Sequence, residues 1–209
     1  GQASVKITGK GLYKGTKTVN FNIRPATVTK LKVSSTGEKS VKLSWKKVTG
    51  ADSYAIYRYD NTSKKWQRIK TVKAVSFTDS GLARAKGYSY KVKAVKKSGG
   101  KEYISASYSK AVEAVTKPAK ASCTAKSAGS GSIEVSWKAV GGASGYEIYS
   151  SSNGSDYVKS AKVGGSHKSA IVSGFEPYSL RMVKVRAYKT VNGKTSYGAF
   201  SQAVMVIVR

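Results

Sequence analysis

The chain has 209 residues, 40% of them hydrophobic, and carries 38 Lys or Arg against 10 Asp or Glu, a formal net charge of +28. Such a charge attracts polyanions of any kind, including nucleic acid, teichoic acid, acidic polysaccharide and anionic membrane. Only 7 of the 38 basic residues are Arg. This disfavours bidentate recognition of phosphates or base edges and leaves nucleic acid as a non-specific partner only.

Three further features limit the class of protein. Cys123 is the single cysteine, which excludes an internal disulfide. The longest apolar run, residues 203–208, is far too short to cross a bilayer. The chain opens without Met and without a visible signal peptide, so we expect a mature or excised fragment of a longer protein.

Residues 1–24 are predicted to form a β-hairpin. Two alternating runs flank a glycine-rich centre, and their apolar residues fall on one face. Those residues are Val5, Ile7, Val19, Phe21 and Ile23. Because a lone hairpin is marginally stable in water, we expect this one to pack on its neighbour or to be exchanged with another chain.

The remainder of the chain is a repeat with a spacing of 92 residues. The stretch 40–46, SVKLSWK, returns as SIEVSWK at 132–138, and a Pro opens each copy at Pro25 and Pro118. A unit of about 90 residues is the size of one small β-sandwich. We therefore predict one domain over residues 25–117 and a second over residues 118–209, joined without a flexible linker.

Period-two patterning runs through both copies and predicts an all-β fold. In the first copy Val41, Leu43 and Trp45 alternate with polar neighbours, which is typical of antiparallel sheets that are wet on one face. Hairpin turns are expected at Gly99-Gly100 and at Asn192-Gly193, which occupy equivalent positions. No stretch has the pattern of an amphipathic helix.

Both copies resemble fibronectin type III domains, on motifs that recur along the repeat. In the first copy, Phe77-Thr-Asp-Ser-Gly-Leu82 is followed by Tyr88-Ser-Tyr90-Lys-Val92-Lys-Ala94, with Tyr88 at the tyrosine-corner position. In the second copy Arg181 stands at that position, so the corner's hydrogen bond is expected to be absent. The resemblance implies two tandem seven-stranded Ig-like sandwiches with these core residues: Trp45, Tyr54, Leu82, Tyr88, Trp137, Tyr146 and Phe175.

Shorter phrases resemble bacterial surface proteins. The lysine richness and a V-x-G-A-x-x-Y phrase, present in both copies, are similar to tandem modules of Gram-positive, Clostridia-like surface or secreted proteins. The phrase at residues 9–16, GKGLYKGT, resembles the end of Ig-like repeats in such proteins. It implies that residues 1–24 are the tail of a truncated preceding repeat.

No constellation typical of catalysis, cofactor binding or metal ligation is present. His167 is the only histidine and lies in a predicted surface loop, and Cys123 is interpreted as a buried, inert thiol. The acids, Glu147 among them, are placed at strand ends or on exposed faces, and Asp52, Asp60 and Asp79 are interpreted as turn residues. We therefore expect no enzyme activity and no cofactor.

The candidate binding site is a face rather than a pocket, because the resemblance makes the third and sixth strands neighbours. Their outward side chains interleave aromatic rings with cations, which can hold anionic polymers or glycans. The residues are Tyr57, Tyr59, Lys91, Lys93, Tyr149, Lys184 and Arg186. An alternative interpretation is that such pairs only stabilise a solvated sheet, since lysines cover the opposite sheet too, at Lys42, Lys46 and Lys138.

Three functions are left open. The first is a non-catalytic extracellular spacer or adhesion module, at the bacterial cell surface or in the wall, a role that comes from family resemblance. The second is a module that binds polyanions or glycans, such as teichoic acid or acidic polysaccharide, through the basic Tyr/Lys face. The third is an accessory domain pair of an extracellular carbohydrate-active enzyme. Partners would be an anionic wall polymer, a glycan or another surface protein.

Overall fold

The computed structural model describes residues 1–209 and consists of β-strands joined by turns and loops. The first half holds β1 (Gln2–Thr8), β2 (Thr16–Asn22), β3 (Lys32–Thr36), β4 (Ser40–Ser44), β5 (Ser53–Asp60), β6 (Lys65–Val72), β7 (Ser76–Ser80), β8 (Gly87–Ser98), β9 (Lys101–Ile104) and β10 (Val112–Val115). The second half holds β11 (Cys123–Gly129), β12 (Ser132–Trp137), β13 (Gly145–Ser151), β14 (Val158–Gly164), β15 (Ser169–Val172), β16 (Leu180–Val191), β17 (Lys194–Tyr197) and β18 (Val204–Ile207).

The strands after the hairpin build the same two sheets twice. β3, β4 and β7 form a three-stranded sheet, and β10-β8-β5-β6 form a second sheet in which β9 also pairs with β8. β11-β12-β15 and β14-β13-β16-β17 repeat this order, with β18 on β16. This confirms the predicted all-β fold of tandem sandwiches.

By compactness the chain divides into two units. Unit 1 comprises residues 1–35, 42–78 and 88–113, and unit 2 comprises residues 36–41, 79–87 and 114–209. These limits differ from the repeat limits. The domain boundaries proposed from the repeat, at residues 25 and 118, therefore stay predictions.

Alternation along each strand explains why one face of every sheet is buried. In β12 the buried side chains of Ile133, Val135 and Trp137 alternate with more accessible neighbours. They join an apolar cluster with Tyr146 and Ile148 of the facing sheet. Because successive side chains of a strand point to opposite faces, the same pattern leaves the polar residues outside.

In each sandwich a tryptophan ring packs against a tyrosine ring between the two sheets. The Trp137 and Tyr146 rings lie 5.1 Å apart, and the Val140 backbone N–H donates to the Tyr146 hydroxyl at 2.7 Å. Trp45 and Tyr54 lie 5.4 Å apart, with the same hydrogen bond from the Val48 N–H at 2.8 Å. The buried tyrosine is thereby satisfied by a backbone donor.

Five of the seven residues predicted for the core are buried. Tyr88 and Phe175 are only half-buried. Arg181 does replace the tyrosine of the second corner, and its guanidinium lies 4.9 Å from the centre of the Phe175 ring. In the first copy Arg58 lies over the Tyr88 ring at 5.8 Å. Cations therefore accompany the aromatic rings at both corners.

The seventh strand predicted for each sandwich is split into two short strands. Ser109 lies between β9 and β10. Its backbone N–H donates to the Val92 carbonyl, and its hydroxyl accepts from the Val92 N–H at 3.0 Å. Ser201 does the same for Val185 between β17 and β18. A buried serine thus supplies the acceptor that an unbroken strand would have supplied with a carbonyl.

The two predicted hairpin turns are confirmed by their backbone angles. Gly99 and Gly100 have φ of 54° and 73°, and Asn192 and Gly193 have φ of 48° and 76°. Two consecutive residues with positive φ are what a two-residue type I′ hairpin requires.

The N-terminal hairpin is present, but unit 1 does not cover its apolar face. β1 pairs with β2 so that Val5 lies opposite Val19 and Ala3 opposite Phe21. Every residue of β2 is exposed, and Phe21 keeps 46% of its surface accessible. The apolar face is therefore not packed on a neighbour, although Arg24 at the end of the segment donates to the Ile104 carbonyl of β9 at 3.4 Å. Exchange with another chain stays a prediction.

Changing Ser109 or Ser201 to Ala should leave the N–H of Val92 or Val185 buried without an acceptor. We expect the free energy of unfolding to fall by about 1–3 kcal/mol in either variant. Urea denaturation measures this, with the exposed Ser107→Ala as the control. Equal stability of S109A and S107A would show that the hydroxyl does not act as the ladder acceptor.

Deleting residues 1–24 should leave the melting temperature nearly unchanged, because β2 is exposed throughout and β1 is exposed except at Ala3. Differential scanning calorimetry of the full and shortened chains measures this. A lower melting temperature for the shortened chain would mean that the hairpin packs on the sandwich. Sedimentation of both forms tests exchange between chains.

Candidate functional site: an aromatic and cationic sheet face

The structure places the residues predicted for the first sandwich on one outer face, where the lysines lie on aromatic rings. Tyr57 of β5 is paired with Lys91 of β8. The Lys91 ammonium lies 4.4 Å from the centre of the Trp66 ring and 5.4 Å from that of Tyr108. Lys93 lies 4.3 Å from the centre of the Tyr108 ring. Both charges are therefore partly shielded by rings of the same chain.

The rings themselves form edge-to-face pairs. Tyr57 meets Tyr108 with centres 5.0 Å apart, and Tyr59 meets Trp66 at 5.3 Å. Such pairs are a preferred arrangement of aromatic quadrupoles. The outer face of β5, β6 and β8 is thus a continuous cluster of rings in contact with one another and with lysines.

The second sandwich repeats this arrangement. Tyr149 of β13 is paired with Lys184 of β16, and it meets Phe200 edge-on with ring centres 5.0 Å apart. The Lys184 ammonium lies 3.5 Å from the centre of the Tyr157 ring and 4.5 Å from that of Phe200. Phe200 stands 92 positions after Tyr108, so the repeat spacing carries the cluster as well as the core.

A buried carboxylate distinguishes the second face from the first. Glu147 is only 1% exposed, which corrects the expectation that this acid is solvent-exposed. Arg186 donates to its Oε2 from Nη2 at 2.7 Å and from Nε at 3.0 Å. The Tyr149 hydroxyl donates at 3.2 Å, and Lys159 lies 3.4 Å from Oε1. The carboxylate is buried because four donors surround it.

The pKa of Glu147 follows from two opposed effects. Burial alone raises the pKa of this carboxyl, but the hydrogen bond and charge of Arg186, with the charge of Lys159, hold it below its ordinary value of 4.5. The Arg186 guanidinium also lies 4.1 Å from the centre of the Tyr197 ring. The half-buried Arg186 guanidinium therefore contacts both the Glu147 carboxylate and the Tyr197 ring.

The first face has a more exposed ion pair. Arg68 donates to Glu102 at 2.9 Å, and this hydrogen bond lowers the pKa of Glu102 and raises that of Arg68. Burial raises the pKa of the Tyr57 hydroxyl. Because both partners are about one-third exposed, the pair contributes little to stability.

All seven residues predicted for the site lie on these two faces, and all seven are half-buried. Their neighbours on paired strands are those expected. Rings outside these seven residues cover the cations: Trp66, Tyr108, Tyr157, Tyr197 and Phe200. Trp66 lies on the outer face, in contact with Tyr59 and Lys91. Stacking of a sugar on these rings would have to displace a cation or a neighbouring ring.

The other candidate groups have ordinary surroundings. Cys123 is half-buried, with its Sγ 3.1 Å from the Ser201 hydroxyl, and His167 is exposed. Asp60 ends β5 and accepts from the backbone N–H of Thr62 at 3.0 Å, as predicted for a turn residue. Asp79 was expected in a turn but lies buried within β7.

No group of three or more His, Cys, Asp or Glu side chains is close enough to hold a metal ion. No helix long and apolar enough to span a membrane is found.

Comparison with solved structures identifies the fold. A two-domain fibronectin type III segment of chicken tenascin superposes with a TM-score of 0.50 and 17% identity, over 86% of this chain and 98% of that one. The fold is a tandem of fibronectin type III sandwiches. The FN1–FN3 domains of chicken CNTN1 match at a TM-score of 0.41 and 15% identity, over 88% of this chain and 66% of that one.

Comparison by sequence gives a partial relative. No family model matches the chain. A poly(3-hydroxybutyrate) depolymerase of Ralstonia pickettii is 43% identical over 100 residues, which cover 48% of this chain and 18% of the depolymerase. The similarity thus concerns a small part of that protein.

Replacing Glu147 with Gln should destabilise the second fibronectin type III sandwich. Because it breaks a buried ion pair, we expect a loss of about 3 kcal/mol near neutral pH. A lowered pKa contributes stability above the ordinary value of 4.5, and this contribution disappears as the pH falls through the folded pKa. The deficit of E147Q should therefore shrink in acid.

Urea denaturation at neutral pH and at about pH 3 measures the stability deficit of E147Q and its decrease in acid. The control is Glu176→Gln, which changes an exposed acid. A deficit of E147Q that is the same at both values of pH would contradict the role given to the ionised carboxylate.

Proposed function

We propose that this chain is a non-catalytic spacer module of a bacterial extracellular protein. The observation that carries the proposal is the tandem of fibronectin type III sandwiches with filled apolar cores. A sandwich whose two inner faces are packed together holds its ends at a fixed distance and needs no ligand to do so. Support also comes from the similarity to a small part of a bacterial depolymerase.

A second candidate is an accessory module of an extracellular enzyme that acts on a polymer. The relative is named for depolymerising poly(3-hydroxybutyrate), and the matched stretch is 18% of its length. This supports a module carried beside a catalytic domain. A carbohydrate-active parent enzyme remains part of this candidate, and catalysis would then belong to the parent protein rather than to these sandwiches.

Sequence phrases support a finer origin. We propose a Gram-positive, Clostridia-like parent with the module at the cell surface or wall, on the lysine richness and the V-x-G-A-x-x-Y phrase of both copies. The GKGLYKGT phrase supports residues 1–24 as the tail of a preceding Ig-like repeat. Binding of a polyanion or glycan through the Tyr/Lys faces remains an alternative, which the occupied rings make less favourable.

An assay with insoluble polymer separates spacer from accessory module. The full chain is incubated with poly(3-hydroxybutyrate) granules and with cellulose, and the supernatant is tested for protein and for released 3-hydroxybutyrate. We expect the chain to stay in the supernatant and no product to form. Repeating the assay at 1 M salt removes attraction by charge, because screening is then nearly complete.

Two outcomes would contradict the proposal. Released product would show that the chain is catalytic. Sedimentation with either polymer that persists at 1 M salt would replace the spacer by a substrate-binding accessory module.

A further inference from the structure

The outer face of the three-stranded sheet β3-β4-β7 bears only lysines and hydroxyls. Val41 and Leu43 of β4 are fully buried, so Lys42 and Ser44 point to the opposite, solvent side. The Ser34 and Ser44 hydroxyls are 2.7 Å apart, which places β3 and β4 side chains on the same side. The outward residues of the three strands that belong to unit 1 are Lys32, Ser34, Lys42, Ser44, Ser76 and Thr78.

Five lysines collect at one end of this face, within unit 1. The Lys46 N–H donates to the Thr29 carbonyl at 3.1 Å, and the Trp45 N–H donates to the Val75 carbonyl at 3.1 Å. These bonds bring the segments 29–32, 45–47 and 73–75 to the same edge. The lysines they carry are Lys30, Lys32, Lys46, Lys47 and Lys73, all exposed, which we name the lysine edge.

One residue of the lysine edge is held in a strained conformation. Lys30 has φ of 55°, in the left-handed region that residues other than Gly rarely adopt. Such strain costs on the order of 1 kcal/mol or more, and Lys64, outside the lysine edge, has the same conformation with φ of 54°. The conformation of Lys30 turns the chain just before β3 and fixes where the Lys30 backbone directs its side chain.

The charge of the lysine edge is not neutralised by the protein. The only carboxylate on the three strands is Asp79, which is buried. Glu38, in the turn at the opposite end, pairs with Arg84 at 2.7 Å, and Asp52 pairs with Lys96 at 2.9 Å. None of the five lysines makes an ion pair or lies on a ring, in contrast to Lys91 and Lys184.

The side-chain chemistry of the face fits anions that are held by single charges. Lysine binds phosphate as a point charge, and without an arginine the face has no fork for bidentate recognition of either phosphate or carboxylate. Ser and Thr hydroxyls can both donate to and accept from alcohols. The face also lacks the aromatic rings that hold single-stranded nucleic acid.

We propose that the lysine edge and the neighbouring hydroxyls of unit 1 on β3, β4 and β7 bind a phosphodiester-linked polyol. The ammonium groups hold successive phosphates while the hydroxyls contact the polyol between them. Along a strand, Lys42 and Lys46 are separated by about 13 Å, a reach that an extended polymer spans but a single small anion does not. This inference goes beyond the spacer role and does not depend on it.

The test uses the full chain and purified poly(glycerol phosphate), with affinity measured by isothermal titration calorimetry over a series of salt concentrations. The test variant changes the lysine edge to glutamine: K30Q, K32Q, K46Q, K47Q and K73Q. The matched control removes the same charge from exposed lysines elsewhere in unit 1: K64Q, K65Q, K97Q, K101Q and K110Q. Melting temperatures of both variants check that the fold is intact.

We expect the test variant to bind at least about tenfold more weakly at low salt. Its dependence of log K on log salt should also be markedly shallower, because each phosphate that a lysine no longer neutralises reduces the slope by nearly one. The control variant should lose less than about threefold in affinity relative to the unchanged chain, because its substitutions remove only long-range attraction.

Three results would overturn the proposal. Equal weakening of both variants would mean that binding is by diffuse charge. Binding of polygalacturonate as tight as that of poly(glycerol phosphate) would mean that carboxylate is recognised as well as phosphate. Equally tight binding of single-stranded DNA of the same charge would remove the selectivity for a polyol. None of these results bears on the assay with insoluble polymer, so the spacer role is judged separately.

Discussion

The contact between an indole and a tyrosine ring across the two sheets is the interaction on which each sandwich depends. Trp45 lies on Tyr54, and Trp137 on Tyr146, at nearly the same separation. The tyrosine hydroxyl accepts a hydrogen bond from a backbone N–H in the loop between β4 and β5, or between β12 and β13. This bond fixes the loop that joins the two sheets against the core. The copies differ in one respect: the Trp137 indole donates to the His167 carbonyl at 3.0 Å, whereas the Trp45 Nε1 is buried without a partner.

Most of the fold could be predicted because period-two alternation and the spacing of 92 residues are properties of single strands and single repeats. Val41, Leu43 and Trp45 indicated a buried face, and Asn192-Gly193 indicated a turn, each without knowledge of the rest. The splitting of the last strand was not predictable in this way. Ser109 replaces a ladder carbonyl only because β8 lies beside it, and such a partner is not visible in the local sequence.

The candidate site shows the same division. Strand neighbours such as Tyr149 and Lys184 followed from the alternation and the fold resemblance. The burial of Glu147 did not, because a carboxylate in an outward position is exposed unless several donors converge on it. Those donors, Arg186 among them, come from three strands that meet only in the folded sheet. Pattern predicts which side a residue faces; only packing decides what covers it.

Electrostatics then separates the basic residues into two groups with different capacities. Where lysine or arginine lies on rings or beside Glu147, its charge stabilises the sheet and its direction is fixed by interactions within the protein. Where lysine stands on the sheet β3-β4-β7 among hydroxyls, it makes no ion pair and its ammonium is exposed to solvent. Desolvation of a free ammonium by an incoming phosphate costs less than breaking an internal interaction. The unpaired charges of Lys30, Lys46 and Lys73, at one end of that sheet, are therefore the basis on which we propose a polyanion site there.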